Sequence, residues 1–252
     1  MIERLNSRTG PSPEMGLLML AGMNGWVARL LAGDTVALSL FGPLALSVAL
    51  LFIYEHNTVS LPNWLLGLTG LLILFPSGSA AWIAMAFLAI FCRWPPAARL
   101  LVLGLATAEL FATVGLNYGK GIILPGEAHL AGYALELSGF SPIVFGNTIE
   151  LYDRFTIVAA GCSGIGGAIF AGLAVTAIVW WRAPETRPIV LLPMILVAMI
   201  CAFAINILRI SLMAVDSEFY AIAHGQTGAF IADLISSLMV ISLALFAERL
   251  RE

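Results

Sequence analysis

The sequence predicts an all-α integral membrane protein: a bundle of about eight transmembrane helices with a small extracytoplasmic cap, made of a short helix and a β-hairpin. Of its 252 residues, 60% are hydrophobic and only 11% are charged, whereas soluble domains carry about 25% charged residues. Apolar runs recur along the whole chain. The net charge is −3 and basic residues form no run, which excludes nucleic-acid binding as a function class.

The apolar runs predict the spans in chain order, because about 20 apolar residues are needed to cross the hydrocarbon of a bilayer. We predict spans near 15–32, 35–54, 62–75, 78–92, 98–117, 156–181, 188–215 and 227–247. The third and fourth runs are short and are separated by Pro76 and Gly78. The segment 62–92 is therefore either two spans or a re-entrant hairpin.

Basic residues predict the orientation, since they concentrate in cytoplasmic loops. With eight crossings one side collects Arg4, Arg8, Arg93, Arg99, Arg182, Arg187, Arg249 and Arg251. Both termini are then cytoplasmic in a cell inner membrane, and the segments 118–155 and 216–226 face outward. Arg29 is the exception, and we expect Asp34 to pair with it.

We treat 1–252 as one membrane domain in which the spans within 1–97 carry no motif. The outward segment 118–155 is the predicted cap. In it, 125–138 favours a short amphipathic helix with Leu130, Tyr133 and Leu137 on one face. Gly146-Asn147 then suits a two-residue hairpin turn between two short apolar runs.

The hairpin leads into Thr156–Trp181, whose 26 mostly apolar residues predict a long tilted span. Cys162 would lie about two turns from its start. Small residues recur every four positions at Ala160, Gly164, Ala168 and Gly172. Such a stripe predicts close packing on a neighbouring span, the seventh or the eighth.

Of the other cysteines, Cys92 and Cys201 lie in apolar runs and are predicted to be small buried hydrophobes. No spacing typical of metal ligands occurs, so we expect no metal and no cofactor.

Polar residues in the last two spans point to chemistry at the outer end of the bundle. Arg209, with Asn206 on the same helix face, lies about two turns from the outer end of its span, and a buried arginine there is costly. His224 lies in the following loop, with Gly228 one turn later. Asp233 is expected at the depth of Arg209 and could hold its guanidinium.

A cysteine, an arginine and a histidine at one outer layer suit peptide-bond cleavage by a thiol. Nearby positive charge raises the reactive thiolate fraction, and a histidine can protonate the leaving amine. For Arg209 we favour stabilisation of the oxyanion. Gly161 and Gly164 would leave room beside Cys162 for an extended substrate backbone.

Three blocks in this order, GCSGIGG at 161–167, NILR at 206–209 and HGQTG at 224–228, resemble the signature blocks of the exosortase/archaeosortase family. The resemblance covers 98–247. It implies a membrane cysteine protease or transpeptidase with Cys162, Arg209 and His224 as catalytic residues and Gly161, Ser163, Gly164, Asn206, Gly228 and Asp233 in support.

The resemblance also implies the partners. Substrates would be exported proteins with a C-terminal sorting signal made of a short motif, a transmembrane helix and a basic tail. Cleavage at the outer face would leave a thioester on Cys162, and the acceptor would be an amine of a lipid or envelope component.

Two readings from other function classes stay open. A small-solute transporter or channel would use Glu109, Arg209 and Asp233 as a polar pathway, since charges inside a membrane mark such pathways. A non-catalytic scaffold would bind envelope proteins through the small-residue stripe.

Overall fold

The computed structural model describes residues 12–31, 41–55, 61–75, 77–183 and 186–249. Within these ranges the chain is mostly helical, with one small antiparallel sheet. The helices are α1 (Pro13–Leu31), α2 (Phe41–Glu55), α3 (Asn63–Leu74), α4 (Gly78–Phe91), α5 (Pro96–Leu110), α6 (Leu116–Leu137), α7 (Gly164–Arg182), α8 (Pro188–Val215), α9 (Ser217–His224) and α10 (Gln226–Arg249). The strands are β1 (Ile143–Phe145), β2 (Thr148–Leu151) and β3 (Arg154–Ile157).

Three segments of the described chain are long and apolar enough to cross a membrane, namely Pro96–Leu137, Ala160–Arg182 and Ile189–Val215. Four shorter apolar helical stretches accompany them, including α3 and α4, which together occupy 62–92. A helical chain with membrane-length apolar helices is therefore present. The bundle of eight spans stays a prediction, as does its orientation, because Arg4, Arg8, Asp34 and Arg251 lie outside the described residues.

The fifth predicted span and the cap helix are one helical segment, so no helix ends at 117, and the limits 98–117 of the span stay a prediction. A π-helical turn at Phe111–Gly115 joins α5 to α6 without a break. Pro125, expected to begin the cap helix, lies inside α6. Proline removes one backbone hydrogen bond from a helix, but packing of one continuous face of α6 offsets that loss.

That face differs from the one predicted from the large side chains of α6, because Leu130, Tyr133 and Leu137 are exposed. The buried positions near its C-terminal half are Leu124, Glu127, Ala128, Ala131 and Leu135. Small residues there let the sheet approach closely. A Cβ built on Gly132 would lie 2.6 Å from Val144 Cγ2.

The predicted hairpin is confirmed, since β1 pairs antiparallel with β2 across Gly146-Asn147. A third strand was not predicted. β3 pairs antiparallel with β2 and gives the sheet order β1-β2-β3. Thr156 therefore begins no helix: it belongs to β3, and α7 starts only at Gly164. Apolarity alone does not separate a short strand from the first turns of a span.

The segment 216–226, predicted to be an outward loop, contains a helix. Asp216 caps α9, because its carboxylate accepts a hydrogen bond from the backbone N–H of Ser217. This short helix has no buried residue within it and ends at His224.

The buried residues form two separate cores. The larger core joins α1 to α5 with α7, α10 and the first half of α8. The smaller core contains residues of α6, the sheet and the second half of α8, together with Cys162. The candidate site thus belongs to the smaller core, at the N-terminal end of α7.

Candidate functional site

Cys162 lies in a 3₁₀ turn, Ala160–Cys162, between β3 and α7, and not within a helix as predicted. The turn is fixed from α8, because Asn206 Nδ2 donates to the carbonyl oxygen of Cys162 over 2.8 Å. The thiol residue is 7% exposed. Cys162 is therefore a buried member of the smaller core.

His224, the last residue of α9, reaches this thiol. The distance from Cys162 Sγ to His224 Nδ1 is 3.9 Å, a contact that allows a proton to pass between sulfur and nitrogen once the pair tightens. Tyr220, one turn earlier, stacks on the imidazole with ring centroids 5.0 Å apart and an interplanar angle of 21°. The stacking limits the orientations of the His224 ring.

Arg209 binds the backbone that carries His224. Its Nε donates to the carbonyl oxygen of Ala223 over 2.7 Å, across from α8 to the end of α9. No hydrogen bond from its two Nη groups to another described residue accompanies this one. The arginine therefore positions the histidine and keeps donors available for a bound group.

Asp233 is partly exposed on α10 and forms no ion pair with Arg209 among the described residues, although the two charges are close enough to interact. Its role in holding the guanidinium stays a prediction. Asp216, another possible partner, instead binds Arg154 of β3 over 2.7 Å. The hydrogen bond from Arg154 lowers the pKa of the Asp216 carboxyl below its ordinary value.

Three predicted glycines differ in what surrounds them. A Cβ on Gly164 would lie 2.9 Å from both Cβ and Nδ2 of Asn206, and one on Gly228 would lie 2.5 Å from the Cα of Ala223. These two positions require glycine for close packing of α7 on α8 and of α10 on α9. A Cβ on Gly161 would meet nothing within 4 Å, so that position borders open space next to Cys162.

The small-residue stripe faces α8, one of the two neighbours predicted for it. A Cβ on Gly172 would lie 3.1 Å from Met199 Cγ and 3.2 Å from Ile195 Cγ2. Ala160, the first member of the stripe, lies before the helix in the 3₁₀ turn. Close packing of α7 on α8 sets the distance between the Cys162 turn and Arg209.

Glu127 of α6 is a residue that sequence reasoning missed. It is 2% exposed, and its Oε1 accepts hydrogen bonds from Ser163 Oγ over 2.7 Å and from the Gly164 backbone N–H over 3.0 Å. Its Oε2 has no hydrogen-bond partner among the described residues. Ser163 is also the N-cap of α7 and accepts from the Ile165 N–H. Glu127 and Asn206 thus hold the Cys162 turn from two sides.

The signal for Glu127 was present in its spacing, three residues after Leu124 and four before Ala131 on the buried face of α6. The predicted buried face of this helix is based on its large apolar side chains, which lie on the exposed side. A carboxylate among the small residues on one face of α6 is the pattern that would identify Glu127 as a buried residue.

Other polar residues of the helices lie away from this site. Glu109 forms an ion pair with Arg29 and accepts a hydrogen bond from Trp26 Nε1 over 2.9 Å. Cys92 is buried in the larger core. Among the described residues no group of three or more His, Cys, Asp or Glu side chains could hold a metal ion.

No model of a known protein family matches the chain, and neither a curated protein sequence nor a solved structure matches it. The interpretation of the site therefore depends on its own residues and their geometry.

Proposed function

We propose that this chain is an exosortase-like membrane cysteine protease or transpeptidase, which cleaves a C-terminal sorting signal of exported proteins at the outer face of the membrane. The observation that carries the proposal is the 3.9 Å contact between Cys162 Sγ and His224 Nδ1. These residues are far apart in sequence and come from different elements, yet both are held in place by contacts from α8.

In the proposed reaction, His224 accepts the proton of the Cys162 thiol, and the thiolate attacks the carbonyl carbon of the scissile peptide bond. The tetrahedral intermediate collapses, the C–N bond breaks, and His224 returns the proton to the leaving amine. The substrate is left as a thioester on Cys162. An amine of a lipid or envelope component then forms a new amide and releases the thiol, whereas water would give a free carboxylate.

Arg209 would serve this reaction in two ways. Its Nε holds the carbonyl of Ala223 and so positions His224. Its Nη groups would donate hydrogen bonds to the oxyanion of the tetrahedral intermediate. Removal of such a donor lowers the rate by about 10²–10³.

The setting agrees with action at a membrane boundary. The 19 residues of α7 extend about 28 Å at 1.5 Å per residue, close to the thickness of the hydrocarbon layer. Cys162 precedes this helix and Arg182 ends it. We assign the Cys162 end to the extracytoplasmic side of a cell inner membrane, with both termini cytoplasmic.

The experiment expresses wild type, Cys162→Ala or Cys162→Ser together with a tagged exported protein that ends in a transmembrane helix and a basic tail. Mass spectrometry of its C-terminus is expected to show a shortened chain, with or without an added amine, in wild type alone. Unchanged processing in both variants would reject the proposal.

Two further measurements separate it from the other function classes. Solute flux in proteoliposomes that survives Cys162→Ala would favour a transporter. A defect with Gly164→Leu but none with Cys162→Ala would favour a scaffold.

A further inference from the structure

The strand that leads to Cys162 has an open edge. β3 is the last strand of the sheet, and its pairs with β2 include Glu150 with Phe155 and Thr148 with Ile157. The backbone N–H of Val158 donates to the carbonyl of Asn147 over 2.8 Å, next in this register. That bond shows which residue pairs between β2 and β3 are hydrogen-bonded and which are not.

Hydrogen-bonded and non-hydrogen-bonded pairs alternate along an antiparallel ladder. Since Val158 is hydrogen-bonded across to β2, Phe155 and Ile157 belong to non-hydrogen-bonded pairs. Their N–H and C=O groups therefore point away from β2, and no hydrogen bond from another described residue reaches them. The outer edge of β3 presents alternating donors and acceptors.

The side chains at this edge are exposed as well. Phe155 is 62% exposed and Ile157 is 64% exposed, whereas Thr156 between them faces the smaller core. Both β3 and α9 pack near α8. Arg154 of β3 also forms an ion pair with Asp216, the N-cap of α9, so the strand lies next to the helix that ends at His224, and it ends five residues before the thiol.

We propose that the edge of β3 binds an extended segment of the peptide substrate as a fourth strand, which leads the scissile bond to Cys162. Addition of a peptide strand to an exposed sheet edge is a recurring mode of recognition, in which main-chain hydrogen bonds supply affinity. Alternate side chains of the bound segment would lie against Phe155 and Ile157. The inference rests on the proposed function, because it requires a peptide substrate.

Two thiol reagents test it. One is acetyl-Val-Thr-Val-Gly chloromethyl ketone, whose methylene carbon forms a C–S bond with Cys162 as chloride leaves and the thiol proton is lost. The other is iodoacetamide, which alkylates the same sulfur without an extended backbone. The full-length purified protein is treated with each reagent and then digested. Mass spectrometry of the peptide that contains Cys162 gives the rate of modification for each reagent.

The first comparison uses wild-type protein alone. A peptide reagent with two N-methylated valines has lost donors that a strand edge would bind. We expect its rate, relative to iodoacetamide, to be about tenfold lower than that of the unmethylated reagent, the effect of losing one or two hydrogen bonds. Equal rates for the two peptide reagents would overturn the proposal.

The second comparison changes the edge. Ile157→Pro removes the outward N–H, and proline is tolerated on an edge strand when that N–H faces away from the ladder. Ile157→Ala keeps the N–H and removes the side chain. We expect Ile157→Pro to abolish the advantage of the peptide reagent and Ile157→Ala to retain most of it, while iodoacetamide reacts equally with both. An advantage undiminished in folded Ile157→Pro would overturn the proposal.

Failure of this inference is distinguishable from failure of the proposed function. If substrate processing in cells depends on Cys162 but N-methylation has no effect, only the edge is excluded. If processing survives Cys162→Ala, the enzymatic proposal fails regardless of how the reagents behave.

Discussion

Asn206 touches Gly164 so closely that a Cβ on the glycine would lie 2.9 Å from the Asn206 side chain, whose amide also binds the carbonyl of Cys162. One contact between α7 and α8 therefore sets the position of the Cys162 turn. The packing of α7 on α8 and the position of the Cys162 thiol depend on the same contact.

Gly164→Ala is accordingly expected to lower the free energy of unfolding by about 1–3 kcal/mol, because an added methyl overpacks the contact. It should also slow alkylation of Cys162. Gly167→Ala is the matched control, since its Cβ would meet nothing within 4 Å, and alanine favours a helix over glycine by about 1 kcal/mol. Thermal unfolding and iodoacetamide labelling measure both effects. Equal behaviour of the two variants would contradict the prediction.

Glu127→Ala should destabilise the Cys162 turn, since it leaves the Ser163 hydroxyl and the Gly164 N–H without their buried acceptor. The expected cost is about 1–3 kcal/mol for an unsatisfied buried group. Glu127→Gln retains an acceptor oxygen and should recover most of this loss. Thermal unfolding and the rate and pH profile of Cys162 alkylation are the measurements. If glutamine were as damaging as alanine, the charge and not the hydrogen bond would be the essential property.

His224→Gln is expected to reduce substrate processing by about 10²–10⁴, because a general acid and base is lost. His129→Gln provides the control, as His129 is an exposed residue of α6. The amount of shortened substrate per unit time measures both. A similar rate for His224→Gln and wild type would remove His224 from the reaction.

Arg209→Lys keeps the charge but loses the planar group whose Nε binds the Ala223 carbonyl. We expect processing to fall by about 10²–10³ and the labelling rate of Cys162 to change as His224 shifts. Arg154→Lys, at an exposed ion pair of β3, should change processing little. A lysine that fully replaces Arg209 would show that only its charge matters.

The Arg154–Asp216 pair predicts a pH dependence. Arg154 holds the folded-state pKa of Asp216 below its ordinary value of 3.8, so the pair stabilises the fold above that pH and this contribution disappears as pH falls through the lowered pKa. Wild type should therefore unfold at a higher temperature than Asp216→Asn at pH 7. Because both side chains are about half exposed, the difference is small. It should shrink as the pH falls below 3.8 and through the lowered pKa, and a difference that stays constant as the pH is lowered would exclude the pair as its source.

The sequence was sufficient for the long apolar helices near 160–182 and 189–215 and for the hairpin at Gly146-Asn147, because these follow from apolar length and from turn chemistry. It misled at Thr156, where an apolar run is compatible with both a strand and a helix until the pairing with Ile149 is known. Pairing partners are a tertiary property, and no local pattern contains them.

The candidate site divides in a similar way. Cys162, Arg209 and His224 could be selected as reactive residue types in costly positions. The hydrogen bonds of Glu127 to the Cys162 turn could not be predicted, because they depend on which face of α6 is buried. The same applies to Arg209, whose bond to the Ala223 carbonyl requires α9, a helix where a loop was expected.

Two cores joined by few elements have a mechanical consequence. Within the described chain, three segments contribute buried residues to both cores: the continuous helix 96–137, α8, and the segment 160–182, which places Cys162 in the smaller core and Phe170 in the larger one. These three segments connect the larger core to the layer where Cys162 and His224 meet. A tilt of these segments would shift that layer as a unit relative to the larger core, so the depth of the site would follow the tilt while the 3.9 Å distance between Cys162 Sγ and His224 Nδ1 stays the same.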